Sequence, residues 1–333
     1  MPKIVSNKSV SRSPKEDSKV LVAGYMEAAT AENTRRGYRS DVRVYEKWGG
    51  LLPASQNMLI EFLADMAQQR QMSTLRRYLA SISKWHQLQG FVDPARSTQV
   101  KTLMRGIAKR HNRQARQAKP IAIAELEKID GYLSLLAANH LDEMIDERTR
   151  KKERLVALRD RAMLLLGFWR AMRGAELLSV QIEDIKVIDG QGAEIYLRSS
   201  KADREGRGVT HRLPCLDALC PIEAIKAWLC ESQLTSGPLF RSINRWGGVA
   251  GSAMGVNSLA PWMRGLLIKA GVADSESYSA HSMRRGFATH AVSCGTDLKE
   301  LMSYVGWKDV SSAMRYIDHE ASLQSLLPAR LQR

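Results

Sequence analysis

The sequence predicts a mainly α-helical protein in two parts, an N-terminal helical bundle and a mixed α+β domain with a small antiparallel sheet. Three observations predict it. Apolar residues recur at helical spacing almost without a break from about residue 20 to 116. Strand character gathers in "AEIYLRSSK" and "GVTHRLPC", which flank the polar turn "ADREGR", so 193–214 reads as a hairpin. A chain of 333 residues exceeds the usual single domain, and Pro120 marks a boundary. The expected organisation is a flexible tail over 1–19, a helical domain over 20–112, a linker over 113–120 and a second domain over 121–333 that ends in a tail helix.

The elements follow in order. "NTRRGYRSDVRVYEKW" places Tyr38, Val42, Tyr45 and Trp48 on one side of a helix and Arg35, Arg36, Arg39 and Arg43 on the other, before Gly49 and Gly50 stop it. "SQNMLIEFLADMAQQ" starts at a Ser55 cap and repeats the period through Leu59, Phe62, Leu63 and Met66. "STLRRYLASISKWHQLQG" has Ser73 as its expected cap, Leu75, Leu79, Ile82 and Trp85 inward, and Gly90 at its end. In "KTLMRGIAKRHNRQARQAK", residues 101–119, Lys101, Arg105, Lys109, Arg113 and Arg116 recur every three or four positions with no acid among them. On a helix they form a cationic stripe about 20 Å long.

Beyond the linker, "IAIAELEKIDGYLSLLAANH" and "RLVALRDRAMLLLGFWRAM" read as core helices. Between them Asp142, Glu143, Asp146 and Glu147 precede a basic run, which suits a solvated helix and loop better than a metal site. Helices dominate from 221 onward, except for "RWGGVAGSAMG" at 245–255. That stretch lacks the G-K-[ST] of a phosphate loop and reads as a mobile loop. There is no internal repeat.

Charge narrows the function. Residues 1–120 hold 22 Lys and Arg against 9 Asp and Glu, whereas 121–333 hold 28 against 26. Nearly all of the net +15 thus sits in the first third, the footprint of a partner rich in phosphate. Nucleic acid fits better than an acidic membrane surface, because nothing in the sequence anchors to lipid. No uncharged apolar run approaches the roughly 18 residues of a membrane span, and the start has no signal-peptide character, so an intracellular protein is expected. The four cysteines, Cys215, Cys220, Cys230 and Cys294, make no C-x-x-C pair and read as buried free thiols.

Single residues decide little. Arg173 with Glu176 three positions on could be a plain ion pair at the edge of a core, and Lys201 at a hairpin tip means nothing alone. Taken in order, however, Arg173, Lys201, His281-x-x-Arg284, Gly306-Trp307 and Tyr316 resemble the signature of the tyrosine recombinases, the phage integrase family. "AMRGAELLSVQIEDI" resembles the family's first arginine box, and "HSMRRGFATHAVSCGTDLKELMSYVGWKDVSSAMRYI" its second box through to the nucleophile. The resemblance is strong over about 160 to 320; the N-terminal region is similar only in general pattern. Trp307 stands where most members have histidine, as in the Cre recombinase, and "LFRSINRWGGVAGSAMGVNSLAPWM" also looks like Cre. "RRGFATH" is closer to the Xer recombinases.

The resemblance implies a SAM-like core-binding domain followed by a tyrosine-recombinase catalytic domain, acting without metal or other cofactor. Attack on a phosphodiester needs an activated nucleophile, cations for the charge that builds on the non-bridging oxygens, and an acid for the departing oxygen. In the family's terms Tyr316 is the nucleophile, with Tyr304 as a less suitable rival. Arg173 and Arg284 clamp the phosphate, His281 adds a hydrogen bond and proton transfer, and Trp307 donates its indole N–H. Lys201 protonates the leaving 5′ oxygen, and Glu176 orients the region of Arg173.

The expected product is a 3′-phosphotyrosyl bond, resolved through a Holliday junction by a homotetramer on two inverted-repeat sites in double-stranded DNA. The alternatives are a type IB topoisomerase-like nicking-closing enzyme and a catalytically inactive DNA-binding relative. Arg76, Arg77, Arg241 and Arg245 are candidates for base readout. Leu323, Leu326, Leu327 and Leu331 in the tail could pack on their own chain or on a neighbouring subunit. The expected setting is the cytoplasm, at the nucleoid, of a prokaryotic cell or a phage or plasmid host.

Overall fold

A computed structural model describes residues 21, 25, 32–111, 117–138, 146–188, 190–198 and 208–317, with the side chains of 315–317 excepted. The chain divides into two compact units, Met1–Arg116 and Gln117–Arg333. In the first unit, α1 (Glu32–Trp48), α2 (Gln56–Gln69), α3 (Met72–Gln89) and α4 (Thr98–Arg110) enclose one core. Tyr45, Leu59, Phe62, Leu63, Leu75, Ile82 and Val100 are fully buried there.

Local chemistry sets the helix ends. Ser55 Oγ accepts the Met58 amide at 3.2 Å and starts α2, while Gly90, with φ 75°, ends α3. Helix α3 begins one residue before the expected Ser73 cap: Gln71 is the extended flanking residue, and no side chain caps that end. A buried carboxylate ties α1 to α3, because Asp41 takes Nε and Nη2 of Arg77 at 2.9 and 2.8 Å and the Ser81 hydroxyl at 2.8 Å.

The second unit is built around α6 (Glu147–Trp169), which packs against α5 (Ile123–Ala137), α8 (Pro221–Ser232) and α10 (His281–Ser293). Every residue of α6 from Ala162 to Phe168 is buried, which is why the sequence there is apolar all round. After the short α7 (Gly174–Ser179), strands β1 (Ile185–Ile188), β2 (Gly192–Leu197) and β3 (Val209–Pro214) form an antiparallel sheet in that order. The expected hairpin is β2–β3, with Gly192 opposite Pro214 and Leu197 opposite Val209. The sequence reading missed β1, whose four residues are too few to show an alternation.

Residues 245–255 depart from expectation. Part of the glycine-rich stretch is a strand, because β4 (Arg241–Ile243) and β5 (Val249–Ala253) pair as a second hairpin. Turn chemistry at Asn244 organises it: the Asn244 side-chain oxygen accepts the amides of Trp246 and Gly248 at 2.8 and 2.9 Å. The cysteines also differ from expectation, since Cys220 alone is buried while Cys215, Cys230 and Cys294 are exposed. All four are free thiols. Asp142 and Glu143 of the acidic cluster lie outside the described residues. No helix among the described residues is long and apolar enough to cross a membrane.

The remaining helices, α9 (Leu259–Lys269), α11 (Leu298–Val305) and α12 (Val310–Ile317), complete the unit. Helix α10 is held at minimal distance from the segment entering α5. A Cβ added at Gly286 would lie 2.1 Å from the Ile121 carbonyl oxygen and 2.9 Å from the Phe168 ring. The nearest obstacle is backbone, so it cannot swing aside. Gly286→Ala is expected to lower the unfolding free energy by about 3 kcal/mol, read from the denaturant midpoint.

Candidate active site

The site is assembled where α6 ends. Arg173 is the residue that flanks the start of α7, and Glu176, in the first turn, fixes it twice. One carboxylate oxygen accepts the Arg173 backbone amide at 3.0 Å and the other accepts its Nη1 at 2.7 Å. The sequence spacing of three is what lets one acid reach both groups. Arg173 keeps 27% of its side chain exposed, whereas Glu176 is nearly buried, so the guanidinium is held from behind and remains accessible. Gly174 permits close approach of the next element: a Cβ there would lie 2.6 Å from Leu259 Cδ1 and 3.6 Å from Ala280 Cβ. The Arg173 turn and the start of α10 are therefore neighbours.

Helix α10 carries His281 at its first position, exposed, and Arg284 one turn later, only 3% exposed. Arg284 Nη1 donates to the Ala171 carbonyl at 2.7 Å, and Nη2 to the Val305 carbonyl at 3.1 Å. The first acceptor lies two residues before Arg173, and the second is the last residue of α11. The Arg284 guanidinium also sits 5.4 Å from the centre of the buried Trp307 ring. Ala171 adopts φ 51°, a left-handed conformation that β-carbon-bearing residues rarely take and that turns its carbonyl inward.

Beneath these groups lies a small core of Ala171, Ala288, Ala291, Leu301, Val305, Trp307 and Ala313. Ala313 is on α12, and Tyr316 follows it by three positions on the same helix. The structure thus brings the Arg173 turn, α10, Trp307 and the helix bearing Tyr316 around one point. Lys201 lies outside the described residues, as do Arg113, Arg116 and the tail leucines.

Sequence reasoning missed a second cationic group. Arg170, 8% exposed, donates through Nη1 to the Tyr304 carbonyl at 2.6 Å and through Nη2 to His211 Nδ1 on β3. An arginine can only donate, so His211 Nδ1 is the acceptor and the imidazole is neutral. Burial first, and the Arg170 charge second, push His211 down to about 4 from an ordinary 6.5, with Glu176 opposing. The Tyr304 ring lies 4.2 Å from the Arg170 guanidinium carbon and stacks on Phe287, and its hydroxyl donates to the Trp169 carbonyl at 2.7 Å. Burial raises the Tyr304 phenol, which makes it a poorer nucleophile than a solvent-facing one. Nothing in the local sequence could have joined residues 170, 211 and 304.

This pairing predicts a pH effect. Because His211 is harder to protonate folded than unfolded, its contribution to stability is intact above about 6.5. It is lost as pH falls from there toward about 4. His211→Asn is expected to flatten the stability profile across that window, measured by denaturant unfolding at stepped pH.

The cations of the first unit are placed as follows. Arg39, Arg43, Arg76, Lys101, Arg105 and Lys109 are exposed, and Arg35 is half-buried. Arg36 is paired with Glu32 at 3.0 Å, and Arg77 is committed to Asp41. Arg76, Lys101 and Arg105 border a groove of about 600 Å³ between α3 and α4, floored by Met72, Leu79 and Met104. In the second unit Arg241 spends its side chain on the Pro238 and Ser236 carbonyls, which suits an anchor of β4 better than a reader of bases.

Comparison with known proteins identifies the family. Residues 135–322 match the model of the phage integrase family. An integrase/recombinase described as a xerD homolog from Selenomonas ruminantium is 30% identical over 303 residues, covering 88% of this chain and 83% of that protein. The tyrosine recombinase XerD of Staphylococcus saprophyticus is 25% identical over 298 residues, covering 87% and 89%. Among solved structures, a lambda integrase dimer bound to a COC′ core site shares the fold with a TM-score of 0.57 at 14% identity, over 91% of this chain and 75% of that one. By sequence and by fold, the chain belongs to the phage integrase family, the tyrosine site-specific recombinases.

Proposed function

We propose that this protein cuts, exchanges and rejoins double-stranded DNA at inverted-repeat sites by a transient bond through Tyr316. The observation that carries the reading is the convergence of Arg173 and Arg284 on one turn, with Glu176 and two backbone carbonyls holding them. Two planar guanidiniums so fixed suit the non-bridging oxygens of a phosphate and stay charged at any working pH. The Tyr316 oxygen attacks phosphorus, the 5′ oxygen leaves with a proton from Lys201, and the 3′ phosphate stays on the enzyme. His281 takes part in proton transfer, and Trp307 donates its indole N–H to the phosphate.

The phosphotyrosyl ester conserves the energy of the broken linkage, so a 5′ hydroxyl from a second duplex reverses the step. Pairwise exchange through a Holliday junction then requires four protomers on two sites. DNA as the partner is in keeping with the DNA-bound recombinases among the structural relatives. The helical first unit, as core-binding domain, supplies sequence-independent grip through Arg35, Arg39, Arg43, Arg76, Lys101, Arg105 and Lys109, and Arg113 and Arg116 add to its positive charge. Its place of work is the nucleoid of a prokaryotic, phage or plasmid host.

The test uses inverted repeats found beside the encoding gene, built into a nicked suicide duplex that releases the 5′ fragment after cleavage. Protein covalently attached to the 3′ end is the expected result. Failure to trap any adduct on a duplex that the protein binds would sink the reading. A tetramer joining two duplexes separates recombination from monomeric nicking and closing.

A further inference from the structure

We propose that Arg148, Lys152, Arg245 and Trp246 form a second phosphate-contact site in the catalytic unit, built to grip the backbone of duplex DNA away from the scissile phosphate. Trp246 stands at the tip of the β4–β5 hairpin, 54% exposed. Two guanidiniums lie on this one indole, Arg148 at 4.2 Å and Arg245 at 4.4 Å from the ring centre. The tip also sits on the first turns of α6, since a Cβ at Gly247 would lie 3.6 Å from Lys152 Cβ. Two guanidiniums from two elements therefore share one exposed aromatic, and the stem of a third cation, Lys152, packs beside the same tip.

The tip is rigid. Besides the two amides held by the Asn244 side chain, the Asn244 amide donates to the Gly248 carbonyl at 2.9 Å and the Gly247 amide to the Asn244 carbonyl at 3.1 Å. Arg148, Lys152 and Arg245 have no carboxylate within ion-pair distance among the described residues. Of the acids close in sequence, Glu147 and Glu153 make no ion pair with these cations among the described residues, and Asp146, whose carboxylate feels the Arg148 charge, spends an oxygen on the Thr149 amide at 3.0 Å as the cap of α6. Like charges collected this way repel one another until an anion joins them, and the indole face holds the guanidinium planes ready for one.

The position makes the site separate from the active site. Arg148 and Arg170 stand at opposite ends of α6, about 33 Å apart at ~1.5 Å per residue, so no single phosphate touches both. A contact here adds its own counterion release to binding. It rests on the recombinase reading for its partner, duplex DNA, and each has its own readout.

The test measures binding of the full chain to a 40-base-pair duplex by anisotropy across a salt series. Each phosphate contact adds about 0.9 to the slope of log affinity against log salt. The double variant Arg148→Ala/Arg245→Ala is expected to lose about 1.8 from that slope. Trp246→Leu removes no charge, yet is expected to lower both slope and affinity, because the guanidiniums lose their platform. DNA-induced change in tryptophan emission is expected to shrink in Trp246→Phe. Slopes equal to wild type in both the double variant and Trp246→Leu would overturn the site. Trapping on the suicide duplex reports separately: adducts with unchanged slopes refute this patch alone, and a changed slope without adducts refutes the recombinase reading alone.

Discussion

Tyr316→Phe is expected to leave DNA binding intact and to abolish covalent capture on a suicide duplex, a loss of at least about 1,000-fold in the rate of adduct formation. The substitution removes one oxygen from a ring, so no packing argument can mimic the effect. Forming a phenolate at pH 7 from a phenol of ordinary pKa near 10 costs about 4 kcal/mol, which is why the proposed attack calls for nearby cations and a proton acceptor. Tyr304→Phe is the informative companion. Its hydroxyl is spent on the Trp169 carbonyl, and burial holds its phenol high. It is expected to cost about 1 kcal/mol of stability and to trap DNA normally. Adducts from Tyr316→Phe, or none from Tyr304→Phe in a folded protein, would reverse the assignment of the nucleophile.

Arg284→Ala is expected to show two large losses at once. It strips the buried carbonyls of Ala171 and Val305 of their donors, which costs about 2–5 kcal/mol in the denaturant midpoint. It also removes half of the proposed phosphate clamp, and the cleavage rate is expected to fall about 1,000-fold. Arg284→Lys separates them. A lysine restores the charge but cannot span both carbonyls and a phosphate with one planar fork, so cleavage is expected to fall about 100-fold in a protein that binds duplex as before. Near-normal trapping by Arg284→Lys would mean that charge alone suffices and that the fork geometry is incidental.

What could be read from the sequence was what is local. Ser55 and Gly90 act within one turn of their own positions, and Arg173 and Glu176 meet across three residues, so spacing was enough. Partners far along the chain left no trace. Arg284 ends on residues 113 and 21 positions away, and Arg170 finds His211 across 41. The β4–β5 hairpin was missed for another reason. Its strand "VAGSA" has little intrinsic strand preference, and the Asn244 turn and pairing with β4 decide its conformation. The cysteines were placed inside on average behaviour, although Cys215 and Cys230 end on outward faces of β3's exit and α8.

Arg170 and Arg284 approach from different helices and finish on consecutive carbonyls, those of Tyr304 and Val305. Three helix ends are therefore stitched by two side chains at a single seam. A shift of α11 that opened the site at Trp307 would have to tear both stitches together, so this corner is expected to move as a block, and its amides to exchange with solvent only when the whole block opens.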